Sequence, residues 1–147
     1  MSGDGLDEVD VRTDPDSYEI GRGSEGAFRF QPYKDELLAH WTVAEFASAR
    51  RGAERIYGRF LAYVAADDFP GADMARKYLR LGFTRAMRYA KYPGGRKYDD
   101  DGTERDPRQW HDTEKRAVAQ VYRHYWALAR TDERYERLRE KYRQRHE

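Results

Sequence analysis

The chain has 147 residues, of which 39% are hydrophobic and 37% are charged, and its formal net charge is +1. A chain of this length usually forms one domain, and a net charge so close to zero excludes a global field that attracts nucleic acid or membrane. Cysteine is absent and the longest apolar run, residues 60–66, is far shorter than the roughly 20 residues of a membrane helix; this excludes disulfides, thiolate metal sites and a membrane span, and indicates a cytoplasmic protein.

The N-terminal region is predicted to contain an acidic tail and a small hairpin. Residues 1–17 carry many carboxylates and few apolar side chains, a composition typical of a flexible segment. Residues 18–33 place a glycine-rich turn between two short extended pieces, and Phe28 and Phe30 alternate with polar residues as in a strand. We therefore expect a β-hairpin at residues 18–33, at the start of a single helical domain over residues 18–147.

Three glycines within this segment, Gly21, Gly23 and Gly26, match the pattern G-x-G-x-x-G. A dinucleotide-binding fingerprint requires a helix directly after the glycines and a βαβ unit around them, and neither pattern follows here. The glycines are therefore interpreted as turn residues. Their backbone N–H groups could also form a small anion nest, and the sequence leaves this alternative open.

Four helices are predicted after the hairpin. The first begins with a capping box, Thr42 to Glu45, and continues with apolar residues at every third or fourth position until Asp67. The later helices are expected over about residues 72–91, from Asp106–Pro107 to about Arg130, and from Thr131 onward. These elements predict a mainly α, single-domain bundle of about four helices with a short N-terminal hairpin.

The second helix and the loop after it contain most of the local excess of positive charge. Residues 71–98 hold eight basic residues and one acidic residue, Asp73. A helical projection divides the helix into an apolar arc and a basic arc. The apolar arc contains Gly82, where the missing side chain allows another helix to approach closely. The basic arc consists of Arg76, Lys77, Arg80, Arg85, Arg88 and Lys91.

The loop after this helix, GGRKY at residues 94–98, adds two further basic residues and is followed at once by three aspartates at residues 99–101. The basic residues could extend the positive surface of the helix. Alternatively, the two runs of opposite charge could neutralise each other, and both interpretations remain open.

Catalytic and metal chemistry find little support. His111, Asp112 and Glu114 are close in sequence, but adjacent side chains at a helix start do not converge on one ion, and no H-E-x-x-H motif is present. No serine stands in a nucleophile motif. We expect no metal and no cofactor, and the catalytic residues, if any, are unknown; His40 and Asp73 are the weak candidates for acid–base roles.

Several short motifs occur in a characteristic order: QPYK at residues 31–34, HW at 40–41, DMARK at 73–77, GFTRAMRYA at 82–90 and GGRKY at 94–98. In this order they resemble an uncharacterised bacterial and phage family, domain of unknown function 4385, over residues 18–138. Met87 stands where the family commonly has a basic residue, which slightly reduces the expected positive charge. The resemblance implies no assigned activity and therefore fixes no catalytic residue.

The leading hypothesis is that the chain binds the phosphates of a nucleic acid or nucleotide through the basic helix and the GGRKY loop. Lys and Arg neutralise phosphates, and an exposed Tyr can stack on a base. The expected phosphate contacts are Arg76, Lys77, Arg80, Arg85, Arg88, Arg96 and Lys97, with Lys34 and Tyr98 as other ligand contacts.

Two alternatives belong to other functional classes. In the first, the chain is a small enzyme that acts on an anionic substrate in a cleft between the hairpin and the basic helix. That cleft would bring together Lys34, His40, Asp73 and Arg96. In the second alternative, the chain is an interaction module whose basic face meets an acidic protein.

Overall fold

The computed structural model describes residues 8–12, 14–92, 95–106 and 112–146. Along these residues the elements are β1 (Val9–Asp10), β2 (Phe30–Gln31), α1 (Tyr33–Leu38), α2 (Phe46–Ala65), α3 (Phe69–Lys91), α4 (Thr113–Arg130) and α5 (Glu133–Arg145). The prediction of a mainly helical bundle with four long helices is confirmed. None of the helices in the described residues is long and apolar enough to cross a membrane.

Helix α3 is the centre of the fold, because it packs mainly against α4 and α2 and also contacts α1 and α5. Every residue from Phe69 to Ala75 is buried, so the first two turns of α3 are enclosed on all sides. The rest of the helix follows the predicted apolar arc, except that Lys77 of the basic arc is buried and Tyr89 is exposed near the C-terminal end. The buried start of α3 is therefore part of the hydrophobic core.

The close approach predicted at Gly82 is present. A Cβ atom at this position would lie 2.2 Å from Cδ1 of Tyr122, so the tyrosine ring of α4 packs directly on the backbone of α3. The Tyr122 hydroxyl donates to the carbonyl oxygen of Thr42 at 2.7 Å and accepts from the Thr42 amide at 3.2 Å. Burial raises the pKa of Tyr122 to about 12, so it remains a neutral donor at physiological pH.

The N-terminal strands pair differently from the predicted hairpin. Strands β1 and β2 are parallel, with Val9 opposite Phe30 and Asp10 opposite Gln31. The partner of β2 therefore lies before residue 18, and residues 22–29 form bends and turns instead of a first hairpin strand. The physical reason is that the apolar residues of the N-terminal segment are drawn to the core, where they occupy the free edge of β2.

The acidic segment that the sequence predicts as a flexible tail, residues 1–17, is in part packed on the domain. Val11 is only 1% exposed, and its amide donates to the backbone of β2 at 2.8 Å. Tyr142 of α5 donates a hydrogen bond to the carbonyl oxygen of Tyr18 directly after this segment. Residues 1–7 and 13 lie outside the described residues.

Aspartates cap three of the long helices. Each accepts a hydrogen bond from a backbone N–H of the first turn, as N-cap residues do; they are Asp68 for α3, Asp112 for α4 and Asp132 for α5. Helix α2 begins at Phe46, after the predicted capping box, because the Thr42 hydroxyl accepts from the Ala44 amide instead. Residues 107–111, which include the predicted start of the third helix and His111, lie outside the described residues.

Candidate functional site

A buried cluster of charged and phenolic side chains surrounds Asp73 in the first turns of α3. One carboxylate oxygen accepts hydrogen bonds from Arg76 Nε at 2.8 Å and from the Tyr135 hydroxyl at 2.5 Å. The other accepts from the Tyr18 hydroxyl and lies 3.9 Å from Lys77 Nζ. Because Asp73 and Lys77 are fully buried, the carboxylate needs all four partners to compensate for its loss of water.

These contacts determine the protonation states of the cluster. Burial alone would raise the pKa of Asp73, but the charges of Arg76 and Lys77 hold it below its usual value. Burial raises the pKa of Tyr18 and Tyr135, and the neighbouring carboxylate raises both further. Burial also lowers the pKa of Lys77 to about 8, although Asp73 opposes that shift. At neutral pH, Asp73 is therefore a carboxylate that accepts hydrogen bonds from neutral phenols.

The sequence predicts that Lys77 lies on an exposed basic face, but the structure buries its side chain completely. Its ammonium group donates to the carbonyl oxygen of Glu19 at 3.1 Å and lies 4.7 Å from the centre of the Tyr18 ring. The segment before β2 covers this side of α3, which a helical projection cannot show. Lys77 is thus a structural residue of the Asp73 cluster, and its ammonium group is not accessible to a phosphate on the surface.

Two arginines of α3 fix the glycine loop, which we define as residues 21–26. Arg76 Nη1 donates to the carbonyl oxygen of Gly23 at 3.1 Å, and Arg80 Nη1 donates to the Ser24 hydroxyl at 3.4 Å. Gly23 has a φ of +56°, and a Cβ atom there would lie 2.6 Å from Arg80 Nη1. Glycine is therefore favoured both by the left-handed backbone and by the close contact with the arginine.

A cleft of about 420 Å³ opens between the glycine loop and helices α3, α4 and α5. Six of its lining residues are arginines: Arg22, Arg76, Arg80, Arg130, Arg139 and Arg143. The other described lining residues are Gly21, Gly23, Trp126 and Tyr135, so no carboxylate among the described residues lines the cleft. We call this cleft the arginine pocket.

Most of the positive charge in the arginine pocket is not compensated. Arg76 forms an ion pair with Asp73, but the other five arginines form no ion pair with any described residue. Arg130 lies 4.7 Å from the centre of the Trp126 ring instead, a favourable but weaker contact. Several like charges gathered in one concave site create a strong positive potential, which an anion would neutralise.

Two hydrogen-bond donors at the arginine pocket have no partner in the part of the chain that the structure describes. They are Nε1 of Trp126 and Nε of Arg139, and both atoms are buried. The Trp126 ring is held in place because it stacks on Phe83, with the ring centres 5.9 Å apart. An unsatisfied buried donor typically costs about 1–3 kcal/mol. Both donors therefore lower the stability of the folded protein.

The loop over residues 95–106 differs from the pocket, because its basic residues form ion pairs with neighbouring carboxylates. This agrees with the alternative that the two runs of opposite charge neutralise each other. The three ion pairs of the loop are Arg96–Asp100 at 2.6 Å, Lys97–Glu104 at 3.7 Å and Arg105–Asp99 at 3.7 Å. Tyr98 forms an isolated antiparallel bridge with Glu104 and is 48% exposed. The stacking role predicted for Tyr98 is sterically open, but residues 95–106 contain three basic and five acidic residues, so its surroundings carry no net positive charge.

The remaining basic residues of α3 point away from the arginine pocket. Arg85 and Arg88 are exposed near the C-terminal half of the helix, and Arg88 Nε donates to the carbonyl oxygen of Gly95 at 2.8 Å. The predicted basic arc is therefore divided. Arg76 and Arg80 line the pocket, Lys77 is buried in the Asp73 cluster, and Arg85 and Arg88 belong to the outer surface.

The residues predicted to form an enzyme cleft have separate partners. Lys34 pairs with Glu8 at 2.6 Å, Arg96 pairs with Asp100, and Asp73 is enclosed by its own cluster. The pKa of His40 is lowered by burial and by the charges of Arg59 and Arg55, so its electrostatic neighbours lie on α2. Within the described residues, His40, Asp73 and Arg96 form no hydrogen bond or ion pair with one another.

Sequence reasoning missed four of the six pocket arginines, Arg22, Arg130, Arg139 and Arg143, and it also missed Trp126. One signal was available: Arg76 and Arg80 are four residues apart, as are Arg139 and Arg143, and this spacing places both members of a pair on one helix face. The approach of α5 to α3 was not visible in the sequence, because it depends on the hydrogen bond between Tyr135 and Asp73.

Comparisons with known proteins give one result. A family model described as Domain of unknown function (DUF4385) matches residues 4–145, which is nearly the whole chain. The predicted resemblance is thereby confirmed. Searches of curated proteins and of solved structures give no significant match. The chemistry of the site must therefore be argued from the residues of this chain.

Proposed function

Since the chain belongs to the DUF4385 family, a domain of unknown function, we propose from its own geometry that the arginine pocket binds a phosphate-bearing ligand, either a nucleotide or the end of a nucleic acid strand. One observation carries this proposal. Six arginines line a single cleft without any described carboxylate, and five of them form no ion pair with a described residue.

The chemistry of arginine favours phosphate as the ligand group. A guanidinium group is planar and always charged, and it donates two parallel N–H groups to two oxygens of one phosphate. The arginines here come from four separate elements around a concave site, so they can surround a compact polyanion. A duplex on an open surface would instead favour a flat row of basic residues.

Calorimetric titration with inorganic triphosphate tests the proposal directly. We expect saturable binding at low salt, and a loss of affinity between about 50 and 200 mM salt, because salt screens the attraction between the arginines and the triphosphate. The titration should be made without divalent cations, so that the arginines are the main counter-charges. Absence of binding even at low salt would contradict the proposal.

Matched variants locate the site. Arg139→Gln and Arg143→Gln should each lower the affinity for triphosphate by about tenfold, the usual loss when one hydrogen bond to a charged group is removed. Arg85→Gln is the control, because Arg85 is an exposed arginine of α3 outside the pocket. Arg96→Gln tests the predicted GGRKY contact. If Arg96→Gln or Arg85→Gln were as damaging as the pocket variants, the binding site would lie on the outer surface instead.

Nucleic acid is distinguished from nucleotide by competition. Fluorescent single-stranded DNA and RNA oligonucleotides with a 5′-phosphate should be displaced by triphosphate if the strand end occupies the arginine pocket. An oligonucleotide that binds tightly without such displacement would place nucleic acid binding elsewhere on the protein. Both ligands are abundant in the cytoplasm, which we propose as the location of the protein.

A further inference from the structure

The glycine loop separates the arginine pocket from a second cavity with a different chemistry. This cavity has a volume of about 290 Å³ and lies against the other side of the loop. Its wall includes Gly26, Ala27, Phe28 and Phe30, and Gly21 lines both cavities. We call it the apolar pocket. The two cavities are therefore neighbours, with Gly21 in the wall of both.

The residues that line the two cavities differ in the sign of their charge. The arginine pocket has six arginines and no described carboxylate, whereas the apolar pocket is lined by Glu19, Glu25 and one arginine, Arg29. Arg29 already pairs with Glu19 at 3.3 Å, and Glu25 forms no ion pair with a described residue. A ligand that filled both cavities would need several negative charges at one end. At the other end it would need an uncharged, largely apolar group with hydrogen-bond donors for a carboxylate.

The aromatic wall of the apolar pocket suits a flat ring. Phe28 is 40% exposed, and its ring is held edge-on against Tyr78, with the ring centres 6.0 Å apart. Exposure of a large aromatic side chain beside a cavity leaves a π-face available for stacking, and a nucleobase stacks favourably on such a face. Phe30, on the inner wall, is fully buried and supports the floor of the cavity.

The backbone of the glycine loop offers donors between the two cavities. The amide N–H groups of Gly21, Arg22, Gly23 and Ser24 form no hydrogen bond to any described residue. Gly21 and Gly23 have φ values of +64° and +56°. Left-handed glycines of this kind are one component of an anion-binding nest, in which successive backbone N–H groups face one anion.

We infer that the two cavities and the glycine loop form one site for a nucleoside polyphosphate. The base stacks beside Phe28 in the apolar pocket, and the Glu25 carboxylate accepts from an amino or hydroxyl group of the nucleoside. The loop amides donate to the phosphate nearest the sugar, and the arginines bind the outer phosphates. This inference rests on the proposed function and specifies the class of ligand: a free nucleotide instead of a nucleic acid strand.

The test compares inorganic triphosphate with ATP, GTP, CTP and UTP by calorimetry, without divalent cations. We expect at least one nucleotide to bind about tenfold more tightly than triphosphate, since base stacking and one charged hydrogen bond supply that difference. Phe28→Ala and Glu25→Gln should remove most of the gain for that nucleotide and leave the affinity for triphosphate within about twofold. Phe46→Ala is the control, because Phe46 on α2 has a similar exposure and lies outside both cavities.

The outcomes separate this inference from the proposed function. If triphosphate binds and no nucleotide binds more tightly, the two-cavity site is wrong and the arginine pocket stands. The same holds if Phe28→Ala and Glu25→Gln weaken triphosphate and nucleotide equally. If neither triphosphate nor any nucleotide binds, both proposals fail. Circular dichroism and thermal unfolding of each variant confirm that the folded protein is being compared.

Discussion

The arginine pocket and the 95–106 loop are both rich in basic residues, but they differ in how their charges are compensated. In the loop, three carboxylates pair with three basic residues within a few turns of the chain. In the pocket, arginines from the glycine loop and three helices converge, and the described lining contains no carboxylate. The basic residues of the loop are therefore neutralised within the loop, whereas most of those in the pocket have no such partner.

This difference shows why an excess of charge along the sequence is a poor guide to a binding site. Residues 71–98 contain the densest run of basic residues, yet Lys77 is buried and Arg96 is paired with Asp100. Exposed ion pairs contribute little to stability and leave little potential for a ligand. Uncompensated charge in a concave site is the better criterion, and it depends on tertiary structure.

The largest expected effect on stability is at the buried Asp73 cluster beside the pocket. Asp73→Asn should lower the free energy of unfolding by about 3–5 kcal/mol, because Arg76 and Lys77 would lose their buried counter-charge. Asp100→Asn, which breaks a loop pair whose carboxylate is 96% exposed, should change it by less than about 1 kcal/mol. Urea unfolding measures both. If Asp73→Asn does not fold, Tyr135→Phe tests the cluster more gently, and equal effects in cluster and loop would contradict the comparison.

A pH effect on stability should come from the buried Lys77. The folded protein releases the Lys77 proton near pH 8, whereas the unfolded chain holds it until about pH 10.5. The unfolded state thus binds more protons in this range, so the free energy of unfolding should rise with pH between these values. Relative to Lys77→Met, we expect a rise on the order of 1–3 kcal/mol. Asp73, Arg76, Glu19 and Glu25 act on this titration.

Chemical unfolding of the wild type and of Lys77→Met at several pH values measures this effect. A difference in the free energy of unfolding that does not vary with pH would show that the buried lysine keeps its proton in the folded protein.

In the arginine pocket we expect a smaller effect, in which a substitution stabilises the protein. Arg139→Met should raise the free energy of unfolding by about 1 kcal/mol in the absence of ligand, because it removes a buried donor without a described partner and one of several like charges. It should weaken triphosphate binding at the same time. Lys97→Met should leave stability within about 0.5 kcal/mol. If the Arg139→Met protein were less stable than the wild type, Arg139 would stabilise the folded protein even without a ligand.

The smallest effect compares two glycines with positive φ. Gly23→Ala and Gly102→Ala should each cost about 1 kcal/mol of stability, since alanine is strained in the left-handed region. Only Gly23→Ala should also lower the affinity for triphosphate, by about threefold, because its Cβ displaces Arg80. A Cβ atom at Gly102 would meet no described atom within 4 Å beyond its chain neighbours. Equal affinities of the two variants would separate the glycine loop from ligand binding.

The helices could be predicted because their apolar spacing directly encodes which face is buried. The stripe from Ala49 to Val64 in α2 and the close approach at Gly82 both follow from this periodicity. The parallel pairing of Val9 with Phe30 could not be predicted, because a strand of two residues has no pattern of its own. The same limit applies to the pocket: a projection shows that Arg76 and Lys77 share a face of α3, but not which segments cover that face.

The partners of Asp73 are distributed over most of the chain: Tyr18 lies 55 residues before it and Tyr135 lies 62 residues after it. During synthesis on the ribosome, α3 emerges with its carboxylate and its two basic residues well before α5 exists. Until α5 has emerged, Asp73 lacks one of its phenol donors and the pocket lacks two of its arginines. Commitment to the native fold is therefore expected late in translation, and a stalled nascent chain that ends before α5 should remain sensitive to protease.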